Sequence, residues 1–107
     1  MSPHELKARL DAGGPIQIID IRAPQEQALA EFPGARALPP MQVAGHAGEL
    51  DEGIDTVVLC SIGQRSIFAI CALREAGYRG RLFNLAGGVN AWLRDIGEGK
   101  ADNEGRS

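Results

Sequence analysis

The segment DTVVLCSIGQRS, residues 55–66, contains the clearest predicted strand of this chain. Its first half, residues 55–60, is a run of β-branched and apolar residues that is typical of a buried strand. The run leads directly into a short segment, residues 61–65, and a helix is predicted over residues 66–76 with Gly77 as the terminating residue. A strand, a short loop and a helix in direct succession form the basic unit of α/β sheets.

The same alternation continues on both sides of this stretch. Further strands are predicted over residues 16–21, 36–38 and 81–85, and helices over residues 2–12, 24–30 and 89–96, with a short helical segment within residues 41–50. The strands look buried, and parallel sheets covered by helices have such strands. The pattern therefore predicts an α/β fold with a mainly parallel sheet and helices on both faces.

Composition limits the domain organisation and the possible partners. The chain has 107 residues, of which 44% are hydrophobic, enough for one core. A single domain is expected over residues 1–96, and a flexible polar tail over residues 97–107, where apolar periodicity is absent. The net charge of -3, without a Lys/Arg block, argues against nucleic-acid or anionic-membrane partners.

Location and cofactors are constrained by what the sequence lacks. The N-terminus resembles an amphipathic helix more than a signal peptide, and no stretch approaches transmembrane length, so a cytoplasmic protein with reduced thiols is expected. Two cysteines do not make a disulfide framework. No zinc-ligand spacing, phosphate loop or dinucleotide fingerprint is present, so neither a metal nor a cofactor is expected.

Cys60 is the candidate catalytic residue. In open α/β sheets ligands bind beyond the carboxyl ends of the strands, and Cys60 stands at that end of the clearest strand. Inward-facing N–H groups of the following loop and the positive end of the next helix both favour a thiolate. Gly63 permits the backbone conformations that such a ring of amides needs, and Arg65 can fold back to offer donors to an oxyanion.

Other distinctive residues have structural interpretations first. Cys71 lies well inside an apolar helix and is expected to be a buried structural cysteine rather than a resolving thiol. Asp20 and Arg22 are expected to form a structural ion pair or cap, although Arg22 adding positive potential near the Cys60 loop stays open. Trp92 is interpreted as a core anchor, with pocket lining as the alternative, and Gly87-Gly88 as a turn.

Four segments, taken in order, resemble the rhodanese family. IIDIRAPQEQ (residues 18–27) resembles its first strand, and FPGARALP (residues 32–39) its Pro-Gly-Ala turn and short strand. VVLCSIGQRS (residues 57–66) resembles the active-site strand and loop, and LFNLAGGVNAW (residues 82–92) the closing strand and Gly-Gly-to-Trp ending. The resemblance covers roughly residues 1–96. It implies a rhodanese-like three-layer α/β/α fold with a five-stranded, mainly parallel sheet.

The resemblance also implies sulfur transfer through a Cys60 persulfide. The thiolate would take sulfur from a small donor, thiosulfate or a persulfide, and pass it to cyanide or a thiol, with a protein acceptor also possible. The N–H groups from Ser61 to Arg65, through Ile62, Gly63 and Gln64, would cradle the persulfide. The Arg65 side chain would complete the loop or contact the anionic donor.

Three alternatives remain within the resemblance. A partner-dependent persulfide relay or sulfur-carrier-binding module would use the same Cys60 with weak thiosulfate activity. A non-catalytic interaction domain is disfavoured because Cys60 and Arg65 are both present. Related phosphatases and arsenate reductases have one more residue between cysteine and arginine than the four here, so phosphoryl chemistry is disfavoured.

The loop after Cys60 has Ile62 and Gln64 where many relatives have smaller or basic residues. The entrance to the predicted site is therefore less positive and more apolar, which favours a thiol persulfide or a protein partner over thiosulfate.

Overall fold

A computed structural model of the protein describes residues 1–32 and 34–97. Its strands are β1 (Ile16–Asp20), β2 (Arg36–Ala37), β3 (Asp55–Leu59) and β4 (Leu82–Asn84), and its α-helices are α1 (Pro3–Ala12), α2 (Pro24–Leu29), α3 (Arg65–Glu75) and α4 (Gly88–Asp95). Two 3₁₀-helices, Pro40–Gln42 and Ala44–Glu49, occupy the segment predicted to hold a short helix. The predicted tail falls almost wholly on residues 98–107, which lie outside the described residues.

The strands form one parallel sheet in the order β2-β1-β3-β4. The α/β fold with a parallel sheet is therefore confirmed. The expectation of five strands is wrong for the described part of the chain, where the sheet has four. The four segments with strand-like sequence are the four strands, whereas the fifth came from the family resemblance alone and had no segment of this sequence behind it.

The two faces of the sheet bury separate apolar clusters, because alternate residues of each strand point to opposite sides. On one face Val58 packs with Ala69 and Leu73 of α3 and with residues around the 3₁₀-helices. On the other face Val57 and Leu59 pack with side chains from α1 and α4. The result is the predicted three-layer arrangement, with the central strand β3 covered on both sides.

Helix α1 begins as the sequence predicts. The Ser2 hydroxyl accepts the Glu5 N–H, the Glu5 carboxylate accepts the Ser2 N–H, and Pro3 occupies the first turn. Gly13 ends the helix in the left-handed conformation, at φ 74°. Among the helices described, none is long and apolar enough to cross a membrane.

Candidate active site

Cys60 is the first residue after β3 and faces the α3 side of the sheet. The parallel register places the end of β3 beside the end of β1, with Asp20 opposite Leu59. Cys60 has a relative exposure of 0%. The Cys60 side chain is therefore not open to solvent in this conformation of the loop.

The sulfur of Cys60 lies inside a ring of backbone donors. Gly63 N–H donates to Sγ at 3.1 Å and Ser66 N–H at 3.4 Å. Burial raises the pKa of the Cys60 thiol, whereas the Ser66 hydroxyl and the Ser66 N–H lower it. The N–H groups of Gly63 and Ile62 lower it further, and the net pKa lies below the ordinary cysteine value. The loop therefore favours a thiolate.

The sulfur also serves as the cap of α3. The N-cap residue, Gln64, makes no side-chain hydrogen bond to the helix. Ser66 is the second residue of the helix, and its otherwise orphaned N–H points at Sγ. A negative charge on Cys60 consequently lies at the positive end of an 11-residue helix.

Ser66 and Asn84 form a polar network beneath the sulfur that the sequence analysis did not single out. Ser66 Oγ lies 3.5 Å from Cys60 Sγ and donates to Asn84 Oδ1, while Asn84 Nδ2 donates to the Gly63 carbonyl at 3.0 Å. A hydroxyl both accepts and donates, so Ser66 accepts from the thiol and can turn its proton to the thiolate. Asn84 thus links the end of β4 to the loop.

The start of α4 orients the other side of the loop. Val89 N–H donates to the Cys60 carbonyl at 2.8 Å and Asn90 N–H to the Ser61 carbonyl at 3.0 Å. Because a trans peptide points its C=O and N–H in opposite directions, the next N–H, that of Ile62, faces the sulfur side. Gly88 allows this approach, since a Cβ there would lie 2.4 Å from both carbonyl oxygens. The predicted Gly-Gly turn therefore also holds the loop in place.

The Arg65 side chain is paired with Glu26 of α2. Its Nη2 lies 3.1 Å from Glu26 Oε2 and 3.4 Å from Ser61 Oγ. Ser61 Oγ donates to the same carboxylate oxygen at 2.8 Å. The Arg65 side chain thus contacts both the loop and α2, and the two roles given to it stay predictions. Gln64 is exposed to solvent. Glu26 was not singled out because it lies 39 residues from Arg65 in sequence.

The interpretation of Asp20 and Arg22 as a structural ion pair, and of Trp92 as a core residue, is confirmed. Asp20 and Arg22 are both buried and form a bidentate pair, with Nη2 2.8 Å from Oδ2 and Nε 3.0 Å from Oδ1. Arg22 also donates to the Ala30 carbonyl at 2.7 Å, so its donors are used inside the fold. Trp92 is 1% exposed, and its ring packs against that of Phe32 at 4.9 Å between centroids.

The expectation of a buried Cys71 is wrong, because Cys71 is exposed. Helix α3 is apolar on most faces, so its periodicity did not identify the inner face. The buried positions are Ser66, Ala69 and Leu73, at helical spacing, and Cys71 lies on the other side. Both cysteines are free thiols. Over residues 1–32 and 34–97 no group of three His, Cys, Asp or Glu side chains is placed to hold a metal ion.

Comparisons with known proteins agree with this fold. The family model described as "Rhodanese-like domain" matches residues 2–95. A protein of Allochromatium vinosum named "Sulfurtransferase" is 37% identical over 89 residues, which are 83% of this chain and 82% of that protein. The Mycobacterium tuberculosis protein named "Probable adenylyltransferase/sulfurtransferase MoeZ" is 31% identical over 98 residues, 90% of this chain but 25% of that protein.

A solved structure of a rhodanese-like protein has the same fold. A rhodanese-like domain protein from Staphylococcus aureus superimposes with a TM-score of 0.77 at 27% identity, covering 86% of this chain and 88% of that one. Together with the match over residues 2–95, this shows that the chain belongs to the rhodanese-like domain family.

Proposed function

We propose that this protein is a sulfurtransferase that carries sulfane sulfur as a persulfide on Cys60. The observation that carries the proposal is the set of N–H groups directed at Cys60 Sγ at the start of α3. Such a setting stabilises an anionic sulfur without a histidine base. The names of the similar proteins from Allochromatium vinosum and Mycobacterium tuberculosis support the same chemistry.

In the first step the Cys60 thiolate attacks the outer sulfur of a donor. With thiosulfate, a new bond forms between Sγ and the sulfane sulfur, the sulfur–sulfur bond of thiosulfate breaks, and sulfite leaves with the electron pair. The product is a Cys60 persulfide anion, and the total charge is unchanged. The N–H groups of Ile62, Gly63 and Ser66 remain as donors to the anionic sulfur throughout.

In the second step an acceptor removes the outer sulfur. Cyanide attacks that sulfur, thiocyanate is released, and the electron pair of the broken bond returns to Sγ as the thiolate. A thiol acceptor takes the sulfur in the same way and becomes a persulfide. The remaining loop residues, Ser61, Gln64 and Arg65, hold the shape of the loop and form the rim that donor and acceptor pass. A reducing, cytoplasmic location suits this cycle, since both cysteines are free.

A persulfide relay to a protein partner is the second candidate. It is favoured by apolar side chains exposed beside the loop, with Ile62 54% and Phe68 75% exposed. It is also supported by the relative whose name joins a sulfurtransferase to an adenylyltransferase. A protein thiol would then replace the small acceptor, while the chemistry on Cys60 stays the same.

The proposal is tested by the intact mass of the protein before and after incubation with thiosulfate and after later addition of cyanide. We expect a gain of one sulfur atom that cyanide removes, in the wild type and in Cys71→Ser. We expect no gain in Cys60→Ser. A sulfur adduct that survives in Cys60→Ser and disappears in Cys71→Ser would contradict the assignment.

Turnover then distinguishes the two candidates. Steady thiocyanate release from thiosulfate and cyanide supports the small-molecule enzyme. Slow release, together with rapid loss of the persulfide to a reduced protein thiol, supports the relay.

A further inference from the structure

The cation nearest the reactive sulfur in sequence, Arg65, is already neutralised. The loop segment that follows Cys60, residues 61–65, contains Arg65 as its cation. Its Nη2 contacts both carboxylate oxygens of Glu26, at 3.2 Å and 3.1 Å, and the arginine side chain is 45% exposed. A dianionic donor that approaches the loop therefore meets a pair with no net charge.

Glu26 is fixed in this position by two further donors. Ala23 N–H donates to Oε1 at 2.8 Å and Ser61 Oγ to Oε2 at 2.8 Å. The Ala23 N–H, then the Ser61 hydroxyl and Arg65, lower the pKa of Glu26 to about 2 despite partial desolvation. The carboxylate is therefore ionised at neutral pH, and it is held on the loop side of α2 by contacts independent of Arg65.

Three exposed apolar side chains also line the rim. Ile62 in the loop and Ile67 and Phe68 in the first turn of α3 are 54%, 49% and 75% exposed. Large apolar side chains at the surface of a small domain offer contact area to an organic group and none to a small inorganic dianion. The cancelled charge of Arg65 and the apolar side chains at the rim thus both favour an organic donor over a small inorganic dianion.

We infer that Glu26 is a specificity-determining residue that turns donor preference away from inorganic dianions and towards organic sulfane-sulfur donors of lower charge. It acts by cancelling the charge of Arg65, and it touches neither the reacting sulfur nor the donor. The inference rests on the proposed sulfur transfer and names the substrate class for that same site. An arenethiosulfonate represents this class: its sulfane sulfur moves to the Cys60 thiolate, and the arenesulfinate leaves with the electron pair.

The test compares two donors in the wild type and in Glu26→Gln. Thiosulfate carries two charges, benzenethiosulfonate carries one, and cyanide is the common acceptor. Glutamine can still accept the Ala23 N–H, as in a capping box, so α2 keeps its start while the charge is removed. Glu75→Gln is the matched control. It removes the same charge at the other end of α3, about 15 Å along the helix from Arg65.

We expect Glu26→Gln to lower the KM for thiosulfate about two- to fivefold, the range given by the free energy of one exposed ion pair. The KM for benzenethiosulfonate should change less, and kcat for either donor should stay within error. The gain with thiosulfate should shrink at high ionic strength, because exposed charges are screened by salt. Glu75→Gln should leave the ratio of the two KM values unchanged.

A second variant, Arg65→Gln, keeps the inference testable if Glu26→Gln folds poorly. Arg65→Gln leaves the Glu26 carboxylate without its cation, so it should raise the KM for thiosulfate about two- to fivefold and the KM for benzenethiosulfonate less. Where both variants fold, the double variant has no net charge at this pair and should return the KM for thiosulfate towards the wild-type value. A KM for thiosulfate that stays raised in the double variant would mean that Arg65 contacts the donor directly, and it would overturn the inference.

Other outcomes overturn the inference in distinguishable ways. Equal loss of rate with both donors in Glu26→Gln would make Glu26 a purely structural clamp. An unchanged ratio of KM values would mean that the pair does not select donors. A wild-type protein that gains sulfur from neither donor would overturn the proposed function, and this inference with it.

Discussion

The two cysteines of this chain have opposite settings, and the comparison shows that exposure of a thiol and stabilisation of its thiolate are separate properties. Cys71 is exposed on the outer side of α3, whereas Cys60 is completely buried beneath the loop before that helix. Accessibility alone would select Cys71. The Cys60 sulfur, however, receives the N–H groups of Gly63 and Ser66 and lies at the positive end of α3. Stabilisation of the thiolate by fixed dipoles is the property that distinguishes them.

Exchange of each cysteine for serine tests this comparison with the largest expected effect. Cys60→Ser should abolish thiocyanate release from thiosulfate and cyanide, because the sulfur carrier itself is gone. Cys71→Ser should keep most of the wild-type rate, since its side chain lies outside the site. Equal losses in the two variants would contradict the comparison.

Alanine at Gly63 should give the next largest effect. Gly63 has φ 86°, and a Cβ there would lie 3.0 Å from Gly87 N and 3.1 Å from the Leu85 carbonyl. The loop must then shift and its N–H donors move off the sulfur, so the rate should fall about ten- to a hundredfold.

Gly77→Ala is the matched control for that variant. Gly77 also has a positive φ, of 95°, but it follows the far end of α3 and has open space around its Cα. Its substitution should lower the free energy of unfolding by about 1 kcal/mol from backbone strain and leave the rate of the folded protein unchanged. Thermal unfolding and turnover measured together separate the two effects; equal rate losses would mean that strain alone is responsible.

Removal of the Ser66 hydroxyl should give the smallest effect. Ser66→Ala keeps the backbone N–H but deletes a side-chain hydrogen bond that lowers the pKa of Cys60. That pKa should rise towards the ordinary cysteine value, so the acid limb of the pH–rate profile should move to higher pH. Ser66→Thr keeps the hydroxyl and should restore the position of the limb. An unmoved limb in Ser66→Ala would remove Ser66 from the set of donors.

Local sequence pattern was sufficient for the α/β architecture and for the position of Cys60 at the end of a strand, before a loop and a helix. The run over residues 55–60 and the following loop specify a strand end, a loop and a helix start, which are determined by near neighbours in the chain. The ion pair of Asp20 and Arg22 and the core position of Trp92 were predicted for the same reason.

The features that the sequence did not predict are of two kinds. Some depend on contacts between residues far apart in the chain, and one depends on which face of α3 is buried, which apolar periodicity does not show. Glu26 lies 39 residues from Arg65 in the sequence, and Asn84 lies 21 residues from Gly63. Both side chains therefore contact the loop only after the chain has folded. Cys71 was placed inside because α3 has apolar residues on most faces, and Phe68 is also exposed there. The polar surroundings of a site are therefore harder to predict than its central residue.

The most direct test of the account is the thiolate absorbance of Cys60 as a function of pH. It is measured on Cys71→Ser, so that the signal comes from Cys60 alone, and the same variant unfolded in denaturant is the reference. The account predicts that the Cys60 thiolate of the folded protein persists below the midpoint of the unfolded reference and is lost only as the pH falls through its lowered pKa. A folded-state midpoint equal to or above that of the unfolded reference would contradict it.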